Sequence, residues 1–408
     1  MTPATAAPIG FALLLPLLLA AQPVATDSYL SALPAIATEL GSASTSLTMF
    51  VLAFGVAQIP VGSLADRIGR RPVLLGGLAL YVVAALAGAL AASAAMLAGV
   101  RAVQGAAMAA ILVCSRAAVR DLYPAHEGMH VMARGLTGLG VVALIAPVLG
   151  AFVVQWAGWR WVLVLMAVYG AVLLAMCWHS FGETQAPQAA GQPAAQGGVR
   201  EVFASRSFRV WSCLSASSYG GIFCFLLLSP MVYIGYLGLE PALYGWIPSF
   251  GSAIYICSTT ACRRLLYRWG PLRTVRLGAL LSISGALIQA LGAWHLPGSA
   301  WPLMLGHAFF SMGHGIHQPC GQAGAVGDLP QLAGRAVSWS GFIMMAVAFC
   351  VGQLASRFID ERHSHGAWPM VVPMLAAGCA IMLIAFAWLP RVLAHQQQQQ
   401  QTPKEKTT

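Results

Sequence analysis

From Val73 to Met96 the chain runs without a single Asp, Glu, Lys or Arg. A soluble domain cannot leave so long an apolar stretch unrelieved, whereas a bilayer core of about 30 Å requires about 20 such residues in a helix. The stretch has many companions, since 58% of the 408 residues are hydrophobic and 8% are charged, against about 25% charged in ordinary soluble chains. Lipid must therefore cover much of the outside. The net charge of +10 does not point to nucleic acid, because the basic residues sit beside apolar runs rather than on a solvated face.

The apolar runs do not alternate with period two, which excludes a barrel and leaves membrane helices. Polar breaks divide them into twelve predicted spans: 10–34, 46–65, 73–93, 96–119, 131–154, 159–180, 209–236, 243–265, 273–294, 301–323, 336–358 and 366–389. No Lys or Arg precedes the run Phe11 to Ala21, so it is expected to be a retained first helix rather than a cleaved signal. With the N-terminus inside, all of the 22 Lys and Arg except Arg101, Arg160, Arg357 and Arg362 fall on the cytoplasmic side. That asymmetry puts both termini in the cytoplasm.

Glu183 to Val199 is rich in Ala, Gln, Pro and Gly and reads as a flexible linker. It predicts six-helix bundles at 1–180 and 209–391, a cytoplasmic linker at 181–208 and a disordered tail at 392–408. A weak repeat agrees: Asp66-Arg67-Ile68-Gly69-Arg70 and Tyr267-Arg268-Trp269-Gly270-Pro271 stand 201 residues apart, as do Gly77 and Gly278. Matched halves with a site between them are a sequence form of secondary transporters. The nine cysteines include no Cys-x-x-Cys pair, so packing is expected rather than a metal or disulfide framework.

The loop Gly62-Ser63-Leu64-Ala65-Asp66-Arg67-Ile68-Gly69-Arg70-Arg71-Pro72 resembles the signature between helices 2 and 3 of the major facilitator superfamily. Arg101-Ala102-Val103-Gln104-Gly105 resembles its helix 4 motif. Ala146-Pro147-Val148-Leu149-Gly150 is similar to the helix 5 motif of antiporters, with Ala146 and Ala151 where that pattern has glycine. Asp27-Ser28-Tyr29-Leu30-Ser31-Ala32-Leu33-Pro34 and Ala117-Ala118-Val119-Arg120-Asp121-Leu122-Tyr123 resemble the Bcr/CflA drug/proton antiporter subgroup. The resemblance implies proton-driven efflux of small drugs such as phenicols, bicyclic antibiotics or sulfonamides, with nucleosides as cargo of some relatives.

Of the twelve acidic residues only Asp27 falls inside a predicted span, where ionisable groups mark ion and proton pathways. Arg101 lies in helix 4 and needs a carboxylate or carbonyl partner, with Asp27 the expected one. The resemblance assigns this arginine a part in proton coupling. It also assigns Gly62, Asp66, Arg67, Gly69, Arg70 and Arg71 to a conformational switch, in which Asp66 meets the start of helix 11 near Arg335 to Ser338. Helix 5 gating falls to Pro147 and Gly150. Substrate-cavity candidates are Tyr29 and Gln104 from the motifs, Tyr219 and Phe223 in helix 7, and His307, Ser311, His314 and Gln318, which share one face of helix 10.

The expected function is a secondary active transporter rather than an enzyme. It would work as a monomer in the inner membrane on a small-molecule substrate and protons, with the lipid bilayer and no nucleic acid as partner. No Gly-rich phosphate loop with Lys is present, so a proton gradient is expected to drive it without cofactor or metal. A proton-coupled carrier of a polar metabolite, or a membrane sensor or scaffold, are the alternatives.

Overall fold

The computed structural model describes residues 9–123, 125–184, 198–329, 332–357 and 366–394. Among them every regular element is helical, as an apolar solvent demands of a backbone that must bond to itself. Residues 185–197 of the expected linker, Arg362, and the glutamine tail with Lys404 and Lys406 lie outside the described residues.

The helices are α1 (Ile9–Thr26), α2 (Leu33–Leu40), α3 (Ser44–Ile68), α4 (Arg70–Ala89), α5 (Ala94–Leu122), α6 (Ala125–Ala157) and α7 (Trp159–Ser180). They continue with α8 (Val199–Ala204), α9 (Arg206–Pro230), α10 (Pro241–His295), α11 (Ala300–Gly327), α12 (Ala333–Ser356) and α13 (Trp368–Leu383). Ten stretches among the described residues are long and apolar enough to cross a bilayer. One is α10, whose 55 residues would extend about 80 Å if straight. Gly270, at φ 72 and ψ 175, breaks it into the two predicted spans 243–265 and 273–294. Gly69 ends α3 in a similar conformation, φ 100 and ψ 159, so the repeat seen in sequence is also a repeat of backbone geometry. The remaining predicted span is α11, whose buried His, Ser and Gln side chains make it less apolar than the others.

Two boundaries differ from expectation. The first span does not end near residue 34: α1 stops at Thr26, a 3-10 turn covers Leu30–Ala32, and α2 carries the span to Leu40. The end of the expected linker forms α8, because Val202 is buried and Phe203 packs edge-on against Phe208 and Trp339 at 5.4 and 5.3 Å.

The chain forms two compact units. One contains α1 to α7 with Leu226–Ala253; the other contains the described residues of 198–225 and those from Ile254 onward. In the first, glycines let helices approach closely: Gly105 of α5 and Gly150 of α6 lie against the backbone of Phe50 and Ser28, and Gly135 and Gly138 of α6 lie against the side chains of Leu15 and Pro16. Gly245 meets Pro147 and Ala151 on another side of α6. In the second, Gly315 of α11 meets the Tyr255 carbonyl, and Gly321 meets Ser215 of α9. Close approach through small residues is how membrane helices gain packing contact without a hydrophobic driving force.

Candidate functional site

The break in the first span is where the chain concentrates its polar groups. Pro23 lies inside α1, the Asp27 amide bonds back to the Pro23 carbonyl, and the Tyr29 amide bonds to the Thr26 carbonyl at 3.3 Å. That tightening deprives the Ala25 carbonyl of the amide four residues on, which a continuous helix would supply. Arg101 takes its place, donating from Nη2 at 2.9 Å. Ser28 Oγ donates to the Val24 carbonyl, and Thr26 Oγ1 lies 3.0 Å from that of Gln22. Side chains therefore satisfy the end of α1.

Arg101 is 1% exposed. Its guanidinium carbon lies 4.4 Å from the ring centroids of both Tyr29 and Phe50, and Nη1 donates to Gln104 Oε1. The Tyr29 hydroxyl shares a hydrogen bond with Ser46 Oγ at 2.8 Å. The structure brings Arg101, Tyr29 and Gln104 together, and the arginine's partner is a carbonyl, one of the two kinds expected, rather than the Asp27 carboxylate. Among the described residues no ion pair joins Arg101 to Asp27; the partner is a carbonyl two residues earlier. Asp27 is half-buried, and its Oδ1 accepts from Thr26 Oγ1 at 2.7 Å.

Pro147 and Gly150 are both buried in α6. Gly150 lies directly against the Ser28 backbone, leaving no room for a methyl group. The helix 5 motif thus touches the α1 break itself.

At the α3 to α4 turn, Arg70 pairs with Asp66 at 2.6 Å and with Asp121 at 3.1 Å. Arg71 donates to the Trp178 carbonyl at 3.0 Å, Arg67 is exposed, and Gly62 has open space beside it. Two residues outside the sequence-derived set complete the cluster. Asp121 holds Arg70, and Glu183 accepts the backbone amides of Arg70 and Arg71 at 2.9 and 3.1 Å, as an anionic cap at the N-terminus of α4. A Cβ at Gly69 would strike the Glu183 carboxylate, and the positive φ independently disfavours a side chain. Glu183→Ala should cost about 1 kcal/mol of stability, the usual worth of such a cap. Gly69→Ala should cost more in wild type than in the Glu183→Ala background, because the second change removes the collision. A double-mutant cycle on unfolding in detergent measures this, and additive penalties would refute the coupling.

In the second unit α11 carries the polar stripe. His307, Ser311, His314 and Gln318 are buried, while Gln322 is exposed. His317, absent from the sequence-derived set, is buried too, with Nε2 at 3.4 Å from the Val275 carbonyl. His314 Nδ1 shares a hydrogen bond with Ser218 Oγ at 2.9 Å. Tyr219 stacks with Phe223 at 6.2 Å. Elsewhere in this unit, Gly220, Val347, Val351, Trp368, Pro373 and Ala377 help to line an apolar cavity of about 750 Å³, within the range of about 300 to 1,000 Å³ typical of small-molecule sites. No group of three or more His, Cys, Asp or Glu among the described residues is arranged to hold a metal.

The chain is similar in sequence and in fold to known proteins. The chain is 29% identical over 371 residues to the chloramphenicol resistance protein of Pseudomonas aeruginosa, covering 87% of this chain and 85% of the relative. It is 25% identical to the bicyclomycin resistance protein homolog of Haemophilus influenzae, covering 93% and 96%. Its backbone resembles a bacterial homolog of the human lysosomal transporter Spinster, with a TM-score of 0.73 at 16% identity over 94% of this chain and 96% of that one. It also resembles a D-xylose-proton symporter, with a TM-score of 0.72 at 15% identity, covering 94% and 98%. The family model described as Major Facilitator Superfamily matches residues 17–353, most of the chain and both units, and the chain belongs to that superfamily.

Proposed function

We propose that this multi-pass membrane protein exports small amphiphilic drugs in exchange for protons, by alternating access in the inner membrane. Two relatives reported above carry the names of chloramphenicol and bicyclomycin resistance proteins. The observation that carries the coupling is the broken first span: a half-buried Asp27 stands at the break, two residues from the carbonyl that Arg101 holds. Discontinuous membrane helices present backbone and polar groups to substrates and ions, and a carboxyl at such a place can take a proton on one side and release it on the other. Asp27 carries the proton, Arg101 fixes the break, and the Asp66 to Arg71 turn with Pro147 and Gly150 governs the change of state. The substrate wall is contributed by the aromatic and polar residues of α9 and α11. The protein works as a monomer, with both termini cytoplasmic, without a cofactor.

The test is proton release. Adding a phenicol-type antibiotic to purified protein in weakly buffered detergent should release protons from wild type, whereas Asp27→Asn should bind the compound and release none. Binding without release in wild type, or release that persists in Asp27→Asn, would remove Asp27 from the mechanism.

A further inference from the structure

Three helices build the apolar cavity of the second unit: Ser217 and Gly220 lie on α9, Val347 and Leu354 on α12, and its longest wall runs along α13 from Trp368 to Ala380. Gly220 lets α9 and α12 approach, since a Cβ there would lie 3.1 Å from Val347 Cγ1. Sites for small molecules carry a few placed polar groups that fix the orientation of the ligand. Among the described residues that line this cavity, only the Ser217 hydroxyl and the Trp368 indole are polar side-chain groups.

The cavity opens outward, because Leu354 and Val372 belong to its wall and are 60% and 55% exposed. What they meet follows from the composition of α13. From Trp368 to Leu383 that helix has no charged side chain and no hydroxyl, amide or imidazole. An uncovered face of this kind on a membrane helix lies against acyl chains, and an apolar cavity behind it stays free of water.

Its length matches a lipid. At about 1.5 Å per residue the wall from Trp368 to Ala380 rises about 18 Å, close to the depth of about 15 Å that one leaflet occupies in a core of about 30 Å. One end of the wall lies at headgroup level. Trp368 meets the exposed Trp294 edge-on at 6.3 Å, and indoles concentrate at the membrane interface. Arg357 ends α12 with helical backbone, φ −68 and ψ −20, so it shares a face with Leu354 three residues earlier. It is exposed and takes part in none of the ion pairs among the described residues. A guanidinium there, above an apolar groove, suits a phosphate.

We propose that this groove holds one acyl chain of a membrane phospholipid, with the phosphate at Arg357 and the chain lying along α13 from Trp368 to Ala380. The bound chain touches α9, α12 and α13 together, so it stabilises the packing of the second unit by mass action. The site uses none of the residues assigned above to protons or substrate, and it does not depend on what the protein exports.

The probe is palmitoyl-oleoyl phosphatidylglycerol, titrated into delipidated protein in detergent and counted by native mass spectrometry. Wild type should hold one lipid more tightly than any further lipid, and its unfolding temperature should rise as that lipid binds. Ala376→Phe combined with Ala380→Phe puts two rings one turn apart in the groove and should weaken the first lipid by about tenfold or more. Val351→Phe, from the α12 wall, repeats the test if the double variant does not fold. Leu383→Phe, on α13 beyond the groove, should bind lipid as wild type does. Dicaproyl phosphatidylglycerol, too short to run the groove, should bind wild type less tightly than the long-chain lipid, and this preference should vanish in the filled groove. Arg357→Ala should weaken the lipid several-fold; unchanged affinity there would overturn the place of the phosphate. Chloramphenicol in excess should leave the lipid bound. A filled groove that keeps its lipid, or a lipid that chloramphenicol displaces one for one, overturns the inference, and the second result would make the cavity a drug site.

Discussion

Arg101→Lys is expected to reduce transport below about a tenth of wild type and to lower stability, although it preserves the charge. The guanidinium is 1% exposed, lies between the Tyr29 and Phe50 rings, and donates to both the Ala25 carbonyl and Gln104. A planar fork can stack between rings and donate in two directions at once; an ammonium is a strongly hydrated point charge that can do neither together. Stacking on desolvated rings is worth about 2 kcal/mol, and leaving the Ala25 carbonyl unpaired costs about 1 to 3 more. Arg101→Met gives the sharper contrast. It fills much of the same space and, although it too leaves the Ala25 carbonyl unpaired, it buries no uncompensated charge, the costlier of the two defects. The methionine variant should therefore unfold at a higher temperature than the lysine variant and transport equally poorly. Thermal unfolding in detergent, paired with drug uptake into inverted vesicles carrying a proton gradient, checks both parts. Wild-type uptake by the lysine variant would mean that the α1 break needs only a positive charge.

The reason this arginine was assigned to Asp27 from sequence also explains what sequence can and cannot convey here. Charge pairing is a legible rule, and Asp27 is the one acid inside a predicted span. The Ala25 carbonyl is left without its helical amide because the backbone tightens at residues 27 to 29, where the Tyr29 amide bonds one residue short. No side-chain pattern announces a freed carbonyl. The helices themselves were legible because each is an apolar run of about membrane length, and the turn at Gly270 was legible through its repeat with Gly69. Glu183 was not, because its bond to the Arg70 amide spans 113 residues and leaves no local periodicity. On α11 the 100° spacing puts His307, Ser311, His314 and Gln318 on one face, and all four are buried. The rings that His307 and His314 meet, Phe225 of α9 and Tyr255 of α10, are encoded by no property of α11.

Gly150→Ala is expected to be nearly as damaging to transport as loss of Arg101, through displacement rather than charge. In an exposed helix this change would stabilise by about 0.5 to 1 kcal/mol. Here the new methyl would fall inside contact distance of the Ser28 carbonyl and Cα, atoms of a backbone that cannot rotate aside as a side chain can. Retreat is also restricted, because Gly245 packs on Pro147, Val148 and Ala151 of the same helix. The strain must pass into the break, where Asp27 is adjacent to Ser28. Overpacking of this kind typically costs about 1 to 3 kcal/mol, and the moved carboxyl should reduce proton-coupled transport at least tenfold. Gly99→Ala is the matched control: it lies in α5 with nothing within 4 Å of its added carbon and should be silent or slightly stabilising. Gly150→Val should exceed Gly150→Ala in both losses. Unfolding temperature and drug uptake across the three variants decide it. A Gly150→Ala protein matching Gly99→Ala in both would show that α6 can move off the break, and that the position of Asp27 does not depend on contact with it.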